Sequence, residues 1–406
     1  HLLLDGAGIE MTEPVCLTST LELDASQIEI LNSVRAVVGQ FDDDYWLRLD
    51  RDGEFPHAFY DEMVKGGWLG IAMPEQVGGA DLGIFEAALM MYTVANSPGG
   101  MSAASAIHIN IFGPHPIVLH GTEEQKHAWL PDLIQGRSKC CFGVTEPDSG
   151  LETGNIQTFA RPDGDGYIIT GQKIWTSTAQ HADKIMLLVR TTPKELCQRT
   201  TEGLSLFFTD LDKRFVEVRE IPKMGRSAVD SNLVFIDELP VPRKDLIGEE
   251  GRGFEYILNG LNPERILVGA EALGIGVQTL NRAVDYARNR IVFGRPIGQN
   301  QAIQHPLAEN WMDLQSAFLV CMEAARLYDA GKPAGALANA AKYLGAEAGY
   351  RAATQSVMTH GGMGYAKEYH VERLLREAMI PRLAPVSAQL ILCYIAERVL
   401  DLPRSY

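Results

Sequence analysis

The spacing of hydrophobic and polar residues changes character twice along the 406-residue chain. The first part has the three- and four-residue spacing of helices, interrupted by short Gly and Pro breaks. Runs of β-branched and aromatic residues separated by turns follow, and long helical patterns then return. We therefore predict an N-terminal all-α domain at residues 26–139, a β domain at residues 140–247 and a C-terminal α-helical domain at residues 248–406.

Local signals support this order of elements. Thr122 precedes Glu123 and Glu124, which is typical of a helix start, because threonine can cap the first turn and acidic residues favour the positive end of the helix dipole. The sequence Asp-Gly-Asp-Gly at residues 163–166 is a strong turn signal ahead of the apolar run at residues 167–170. We expect a helix after Thr122, and a turn at residues 163–166 followed by a strand at residues 167–170.

Two apolar stripes in the C-terminal part have the spacing of one helix face. The first stripe consists of Ile266, Ala270, Leu273, Val277, Leu280, Val284 and Ala287. The second stripe consists of Leu307, Trp311, Leu314, Phe318, Cys321, Ala325 and Tyr328. An Ala-rich stretch at residues 334–348 and a further helical pattern at residues 386–399 follow. These four segments predict a four-helix bundle in which most stripe residues serve only core packing.

The composition is that of an ordinary soluble globular protein. Hydrophobic residues make up 46% and charged residues 22% of the chain, which disfavours long disordered segments. We find no uncharged apolar run of the length that spans a bilayer, and we therefore expect no membrane association. The net charge of −16 argues against a nucleic-acid partner, because such proteins concentrate Lys and Arg against phosphates.

The cysteines and the N-terminus bear on the compartment. Six cysteines occur without CxxC pairs or dense spacing, so we interpret them as reduced thiols and expect a cytoplasmic location. The first ten residues precede Met11 and have none of the features of a secretion signal. We interpret residues 1–25 as a tag remnant followed by an N-terminal arm.

Several common catalytic motifs are missing from the sequence. There is no GxxxxGK[ST] phosphate loop, no HExxH motif, no GxSxG elbow and no GxGxxG between a strand and a helix. The ten histidines are scattered without metal-ligand spacing. A hydrolase, a metalloenzyme and a Rossmann dehydrogenase are therefore disfavoured, and we expect no metal site.

One loop and one later segment carry most of the chemical information. Residues 142–150, Phe-Gly-Val-Thr-Glu-Pro-Asp-Ser-Gly, combine small residues, hydroxyls and exposed amides, and residues 173–178 place Trp175 at a strand end. Such a loop beside a tryptophan can hold an aromatic ring that forms hydrogen bonds. Taken alone, the same residues are more simply interpreted as a solvated turn and a core tryptophan.

Two short motifs resemble the flavin-binding signature of the acyl-CoA dehydrogenase family. The first is Val144 to Pro147 in this loop, and the second is Trp175 to Ser177 in the later segment. Further matches occur in the family's order at residues 67–71, 124–131 and 361–365. The resemblance implies an α+β fold with an N-terminal all-α domain, a central antiparallel β-barrel and a C-terminal four-helix bundle. It also implies bound FAD, an acyl-CoA substrate that is desaturated between its α and β carbons, a homotetramer or homodimer, and an electron-transferring flavoprotein as electron acceptor.

The resemblance also assigns site residues. Those matched to FAD contacts are Phe142, Val144, Thr145, Trp175, Ser177, Arg290, Phe293, Gln301, Gly361, Gly362, Ser387 and Gln389. Those matched to the substrate side are Leu151, Asn262 and Arg265. In the family, the positions matched by Arg290, Phe293 and Gln301 reach FAD from a neighbouring subunit.

The catalytic base is expected at an unusual position. Most family members carry the base where this chain has Pro385, whereas a minority branch, including isovaleryl-CoA and long-chain acyl-CoA dehydrogenases, places a Glu on a helix before an Arg. Glu264 before Arg265 matches the minority pattern. With Asn262 as N-cap and Pro263 at the first helical position, we expect Glu264 near the positive end of a helix and therefore ionised. A solvated glutamate at a helix start is the simpler interpretation of this motif alone.

The departures from the family pattern leave other functions open. Pro385 has no backbone N–H to bind the thioester carbonyl, Met358 replaces a common Gln near the pyrophosphate, and Leu151 replaces a common Ser near the substrate. One alternative is a flavin oxidase or monooxygenase on the same fold. Another is a non-catalytic subunit that binds a CoA ester or flavin.

Overall fold

The computed structural model describes residues 15–405. The predicted tag remnant at the start of the chain lies outside these residues. Seven helices precede the sheet: α1 Ala25–Val38, α2 Asp43–Asp52, α3 His57–Lys65, α4 Ile84–Ala95, α5 Gly100–Phe112, α6 His115–His120 and α7 Glu123–Ile134. Six helices follow it: α8 Gly253–Asn289, α9 Gln301–Asp329, α10 Gly335–His360, α11 Val371–Ala378, α12 Ile380–Leu383 and α13 Ala388–Arg398.

The strands lie between the two helical parts, except for one small hairpin. They are β1 Cys140–Gly143, β2 Phe159–Asp163, β3 Gly166–Ser177, β4 Lys184–Arg190, β5 Leu204–Asp210, β6 Val216–Glu220, β7 Ser231–Pro242, β8 Leu246–Ile247, β9 Ile291–Val292 and β10 Arg295–Pro296. The last two form the separate hairpin after α8. The order of α, β and α segments agrees with the pattern of the sequence.

The N-terminal helices begin where capping residues predict them. The Thr122 hydroxyl accepts a hydrogen bond from the backbone N–H of Gln125, whose side chain in turn accepts one from the Thr122 N–H, so the predicted cap is confirmed. Asp24 caps α1 in the same reciprocal way with Gln27. Helices α4 and α5 are buried along most of their length because they pack against α8.

The sheet is mixed and open among the described residues. Seven of its eight strands follow the order β6-β7-β3-β2-β4-β5-β8, and β1 pairs with β4. Strands β1 and β2 run parallel to β4, whereas the other pairs are antiparallel. The parallel pairing is possible because the β2–β3 hairpin separates β1 from β4 in the chain. The sheet is therefore mixed and not antiparallel throughout as the predicted antiparallel domain implied, and a closed barrel is not confirmed.

The C-terminal part is built on the crossing of α8 and α10. Small residues face one another there: a Cβ on Gly276 would lie 2.8 Å from the Cα of Gly349, and one on Gly345 would lie 2.8 Å from the carbonyl oxygen of Gly269. The two helix backbones therefore approach directly. Helix α9 packs on both, and α13 packs on α10. This arrangement agrees with the predicted bundle, with α13 much shorter than its partners.

The two apolar stripes are confirmed with one exception. All residues of the first stripe are buried except Val284, which packs partly buried against the same core. In the second stripe, Trp311 is 43% exposed, so its prediction as a core residue is wrong. The face of the early α9 turns that carries Trp311 and Met312 lies at the surface of the described residues.

Helix α8 continues through a proline that was expected to start it. The helix begins at Gly253, ten residues before Pro263, so the predicted N-cap at Asn262 is wrong. Packing sets the true start, because a Cβ on Gly253 would lie 2.6 Å from the backbone nitrogen of Leu206 in β5. An interior proline removes one helix hydrogen bond at a cost of about 3 kcal/mol. Burial of Pro263 and the long packed helix offset that cost.

One segment of residues 15–405, Val371–Arg398, has the length and apolar character of a membrane span, contrary to our expectation that no segment would. The segment consists of three short helices, α11 to α13, rather than one continuous helix. It also contains the buried ion pair of Arg373 with Glu377 at 3.1 Å. Only 22% of the most apolar part of this segment is buried within the described residues, and in α13 Ile391 alone is buried.

Candidate active site

Glu264 lies in the fourth turn of α8 and is largely enclosed. Burial raises the pKa of its carboxyl to about 7, opposed by the positive charges of His108, Arg265 and Lys342, while Glu271 adds to the increase. The prediction that a helix terminus keeps Glu264 ionised is wrong, because Glu264 lies more than two turns inside α8. The carboxyl is instead a desolvated group surrounded by cations.

A buried histidine–glutamate pair lies beside Glu264. His108 Nδ1 on α5 is 2.6 Å from Glu271 Oε1 on α8, and the two residues are 9% and 2% exposed. Burial opposes the charged form of His108, but Glu271 and Glu264 together raise the pKa of its imidazole. Sequence reasoning missed this pair. The available signal was a charged residue within an apolar run, seven positions after Glu264 and therefore on the same helix face.

The ammonium of Lys342 on α10 acts on Glu264 and also contacts the segment before α13. Its Nζ donates a hydrogen bond of 2.5 Å to the carbonyl oxygen of Val386, and its side chain is buried. Burial and the Arg265 charge lower the pKa of Lys342 to about 8, while Glu264 and Glu347 oppose the decrease. Lys342 therefore links the segment that contains Pro385 to Glu264 on α8.

Asn262 and Arg265 lie together on α8, one turn apart. Arg265 Nη1 is 3.4 Å from Asn262 Oδ1, while Arg265 Nε is buried without a hydrogen-bond partner among residues 15–405. Burial lowers the pKa of the guanidinium, and Glu264 opposes this effect. A cation with an unused donor beside Glu264 is a suitable contact for a bound ligand.

The 142–150 loop is fixed by a buried ion pair. Lys173 Nζ in β3 donates hydrogen bonds to Glu146 Oε1 at 2.8 Å and to the carbonyl oxygen of Val144 at 3.1 Å. Glu146 also accepts from the backbone N–H groups of residues 157 and 158. Burial lowers the pKa of Lys173 to about 8, against the effect of Glu146. The carbonyl of Thr145 accepts a hydrogen bond of 2.9 Å from the N–H of Ile174.

These contacts place the loop directly beside Trp175. Trp175 lies at an irregularity in the pairing of β3 with β7, has a φ of 60° and is 57% exposed. The alternative of a core tryptophan is therefore wrong, since the ring is presented at the surface. A left-handed backbone at a bulky residue is strained and marks functional positions.

Ser177, the last residue of β3, belongs to a second hydrogen-bonded cluster. Arg226 Nη2 donates to Ser177 Oγ at 3.1 Å and to Ser231 Oγ at 2.7 Å, and Arg226 Nη1 donates to Ser105 Oγ of α5 at 3.2 Å. Arg226 Nε is buried without a partner among the described residues. Arg226 thus joins the sheet to the helical domain at the candidate site, and no sequence motif marked it.

The remaining predicted FAD residues lie apart from the 142–150 loop in this chain. Arg290 follows the last residue of α8, Phe293 is at the tip of the β9–β10 hairpin with a fully exposed side chain, and Gln301 begins α9. No hydrogen bond within residues 15–405 connects these three to the loop. All three side chains are exposed.

Four further predicted residues lie at the ends of α10 and α13. Gly361 has a φ of 61°, and a Cβ on Gly361 or Gly362 would meet nothing within 4 Å, so the backbone there is open to a ligand. The Ser387 hydroxyl accepts the Leu390 N–H as the cap of α13, and Gln389 is exposed.

The substrate-side prediction Leu151 is 53% exposed in the turn after the 142–150 loop. Within residues 15–405, no group of three or more His, Cys, Asp or Glu side chains has an arrangement that could hold a metal ion.

The comparison with known protein families decides the identity. Models of the N-terminal, middle and C-terminal domains of acyl-CoA dehydrogenases match residues 24–137, 141–239 and 251–400. The chain belongs to the acyl-CoA dehydrogenase family. It is an oxidoreductase of this family, and its cofactor is FAD.

Individual relatives and solved structures are similar to this chain over most of its length. The acyl-CoA dehydrogenase fadE12 of Mycobacterium bovis is 35% identical over 397 residues, which cover 96% of this chain and all of the relative. CarC, a subunit of the caffeyl-CoA reductase-Etf complex of Acetobacterium woodii, is 31% identical over 82% of this chain and 86% of its own length. The structure of butyryl-CoA dehydrogenase from Megasphaera elsdenii has a TM-score of 0.89 and 26% identity, covering 94% of this chain and 99% of that one.

The residues of this acyl-CoA dehydrogenase suit a large flavin nucleotide. The exposed face of Trp175 beside the fixed 142–150 loop offers an aromatic surface and backbone amides for a planar ring. The orphaned Nε of Arg226 and the open backbone at Gly361 and Gly362 offer polar partners for the rest of the cofactor.

Proposed function

We propose that this acyl-CoA dehydrogenase desaturates its thioester between the α and β carbons, with Glu264 as the base that removes the α proton. One observation carries the proposal: a largely enclosed carboxyl whose pKa burial raises to about 7, with the cations of His108, Arg265 and Lys342 close by. A base whose pKa lies near the working pH is well matched to proton transfer.

Burial and charge act on Glu264 in opposite directions. Burial makes the carboxylate a stronger base, while the neighbouring cations keep a useful fraction of it ionised near neutral pH. The protonated carboxyl that forms on proton transfer is the form that burial favours. Bound FAD, held by the residues assigned to it below, would supply the acceptor for the hydride from the β carbon. The task of the protein residues is to hold the thioester between base and flavin and to exclude water.

The thioester carbonyl must be held by groups other than residue 385. Pro385 has no N–H, and the nearby Lys342 is already hydrogen-bonded to the carbonyl of Val386. We assign Asn262, Arg265 and Leu151 to the substrate side, with the free Nε of Arg265 available to a polar part of the thioester.

We assign the flavin ring to the surface formed by Phe142, Val144, Thr145, Trp175 and Ser177. Support comes from the buried Lys173–Glu146 pair, which keeps the loop rigid against β3. A rigid loop holds its backbone donors in place for the ring and so favours binding. Gly361, Gly362, Ser387 and Gln389 are assigned to the more distant parts of FAD.

A second copy of the chain is proposed to complete the cofactor site. The side chain of Phe293 is fully exposed and Ile291 is 55% exposed on the same hairpin, next to the exposed Arg290. An apolar hairpin beside a cation is unfavourable in water and well suited to a neighbouring subunit that binds an anionic ligand. We propose a homotetramer or homodimer in which Arg290, Phe293 and Gln301 contact the partner's FAD.

We propose that the reduced flavin passes its electrons to an electron-transferring flavoprotein in the cytoplasm. CarC, which is similar over most of this chain, is named as part of an Etf complex. The oxidase alternative differs in one observable respect, since it reacts with oxygen and forms peroxide after each turnover.

The direct test is anaerobic titration of the purified yellow holoenzyme with a panel of CoA thioesters, followed by flavin absorbance. The panel covers short, branched, long and terpenoid or steroid side chains. We expect at least one member to bleach the flavin and to form its α,β-unsaturated product. Failure of every member would refute the proposal and favour the non-catalytic alternative. Rapid peroxide formation in air would favour the oxidase.

A further inference from the structure

Two carboxyl groups on one face of α8 share a single imidazole from α5. Glu264 and Glu271 are seven residues apart in α8, so they lie on the same helix face and about 10 Å apart along its axis. Helix α5 packs against α8 and carries His108, whose Nδ1 is 2.6 Å from Glu271 Oε1. The charge of the same imidazole acts on Glu264. The three side chains therefore form one buried acid–imidazole–acid array.

Glu271 controls the charge of His108. Its carboxyl is almost fully buried, and His108 is its only ion-pair partner among residues 15–405. A buried carboxylate without a cation is strongly unfavourable, and a protonated imidazole that donates from Nδ1 supplies that cation. Burial lowers the pKa of His108, but Glu271 and Glu264 raise it by more, against the opposing charge of Arg226. The contact thus fixes the orientation of the ring and favours its charged form.

The charge of His108 in turn acts on Glu264. After burial, which raises the pKa of Glu264, His108 has the largest effect and lowers it. Arg265 on α8 and Lys342 on α10 also lower this pKa, whereas Glu271 raises it. Glu271 therefore affects the base in two opposite ways, by direct repulsion and through His108. The effect through His108 is the larger one, because His108 acts on Glu264 more strongly than Glu271 does.

We propose that Glu271 is a positioning residue for the base: it holds a protonated His108 beside Glu264, and this imidazolium keeps Glu264 available as a carboxylate. The proposal rests on the proposed function of Glu264. It makes a prediction opposite to that of simple repulsion between two acids. Removing the negative charge of Glu271 should make Glu264 harder to ionise, since the positive charge of His108 is lost with it.

The first experiment measures the pH profile of kcat/KM in Glu271→Gln, with a thioester that reduces the wild-type flavin. We expect the acid limb to move to higher pH by roughly one unit. Above this limb kcat/KM should remain near the wild-type value, because Glu264 itself is intact. Glu271→Asp keeps the negative charge and should restore part of the wild-type position. Glu255→Gln, which removes an exposed carboxyl from the same helix, should leave the profile unchanged.

The second experiment repeats the substitution in a His108→Gln background. Glutamine keeps a hydrogen-bond donor for Glu271 but carries no charge, so His108→Gln alone should also move the acid limb to higher pH. In this background, Glu271→Gln can remove only direct repulsion. We therefore expect the added substitution to leave the limb in place or to move it to lower pH. A purely structural role of Glu271 would not make its effect depend on the charge of His108.

A third measurement uses the unaltered holoenzyme. In the NMR spectrum of protein with ¹⁵N-labelled histidine, the two ring nitrogens report whether an imidazole is protonated. An ordinary histidine loses its proton near pH 6.5. We expect one imidazole to remain protonated as the pH rises through 7, and we expect its signal to be missing from Glu271→Gln.

The outcomes separate this inference from the proposed function. An upward shift of the acid limb in Glu271→Gln that disappears in the His108→Gln background supports the inference. A limb that stays in place or moves to lower pH in folded, FAD-loaded Glu271→Gln overturns it and leaves the proposed function intact, as does an equal upward shift in both backgrounds. Failure of every thioester to reduce the wild-type flavin overturns both. Where a variant fails to fold, the wild-type spectrum decides, since the absence of an imidazole protonated above pH 7 overturns the inference.

Discussion

Lys342 donates a hydrogen bond from its Nζ to the backbone carbonyl of Val386 at 2.5 Å, inside the C-terminal bundle. The same ammonium group is one of the cations that act on Glu264. One buried side chain therefore fixes the segment around Pro385 and also favours the ionised form of the base. In this protein it connects the proline segment to a base on another helix.

Replacing Lys342 by Met should alter the pH dependence of catalysis. Loss of the positive charge raises the pKa of Glu264 further, because Lys342 opposes the effect of burial. We expect the acid limb of the kcat/KM profile to move to higher pH, while Lys342→Arg keeps it near the wild-type position. An unchanged limb in a folded, FAD-loaded Lys342→Met enzyme would show that the ammonium has no electrostatic role.

The wild-type enzyme should lose activity as the pH falls through about 7. Glu264 acts as a base only when ionised, and its pKa is raised to about 7. The profile of kcat/KM reports the free enzyme, so its acid limb should lie near this value rather than near the usual pKa of a glutamate, about 4.3. A limb at the lower value would mean that another group limits activity or that Glu264 is solvated.

Glu264→Gln should be more stable than the wild type at pH 8. A carboxyl whose pKa is raised on folding stabilises the folded state in its protonated form, and this contribution is lost as the pH rises from about 4.3 to about 7. Glutamine removes the loss, which we estimate at about 1–3 kcal/mol. Thermal unfolding at pH 8 should show a higher midpoint for the variant, and the difference should shrink at pH 5.

The control for this measurement is Glu255→Gln on the same helix. Glu255 is an exposed partner of Arg252, and exposed pairs contribute little to stability. We expect it to lack a stabilising effect at either pH. A Glu264→Gln variant that is no more stable than the wild type at pH 8 would contradict the burial of this carboxyl.

Lys173→Met should weaken FAD binding and the fold together. The substitution leaves Glu146 buried without its cation, which typically costs 3–5 kcal/mol, and it frees the 142–150 loop. We expect a lower ratio of flavin to protein absorbance and a lower unfolding midpoint. The double variant with Glu146→Gln should recover part of the stability. Lys184→Met, which removes the cation of the more exposed pair with Asp210, should retain its flavin.

Local physics explains what the sequence could predict about the fold. Thr122 as a cap and the apolar stripe from Ile266 to Leu280 follow from hydrogen bonding and helix periodicity, and both are found. The start of α8 could not be predicted, because its first ten residues are set by packing of Gly253 on β5 rather than by the Asn262–Pro263 signal. The open, mixed sheet likewise depends on long-range pairing that turn signals do not encode.

In the candidate site too, residues in local motifs could be predicted, whereas residues brought together by the fold could not. Sequence motifs pointed to Glu264, Arg265 and the 142–150 loop, since these are contiguous in the chain. They did not indicate His108, which comes from α5 and meets α8 only in three dimensions. The sequence predicted that the helix dipole would favour ionised Glu264, which corresponds to a lowered pKa. The pKa is instead raised, because burial by distant elements outweighs the local helix dipole.

The most direct test of the proposed role of Glu264 is the rate of anaerobic flavin reduction in Glu264→Gln, measured by stopped flow with a thioester that reduces the wild type. The variant keeps the size and the hydrogen-bonding capacity of the side chain but cannot accept the α proton. We predict that it binds FAD and thioester normally and reduces its flavin at least ~100-fold more slowly. Flavin reduction at the wild-type rate would show that another group removes the proton.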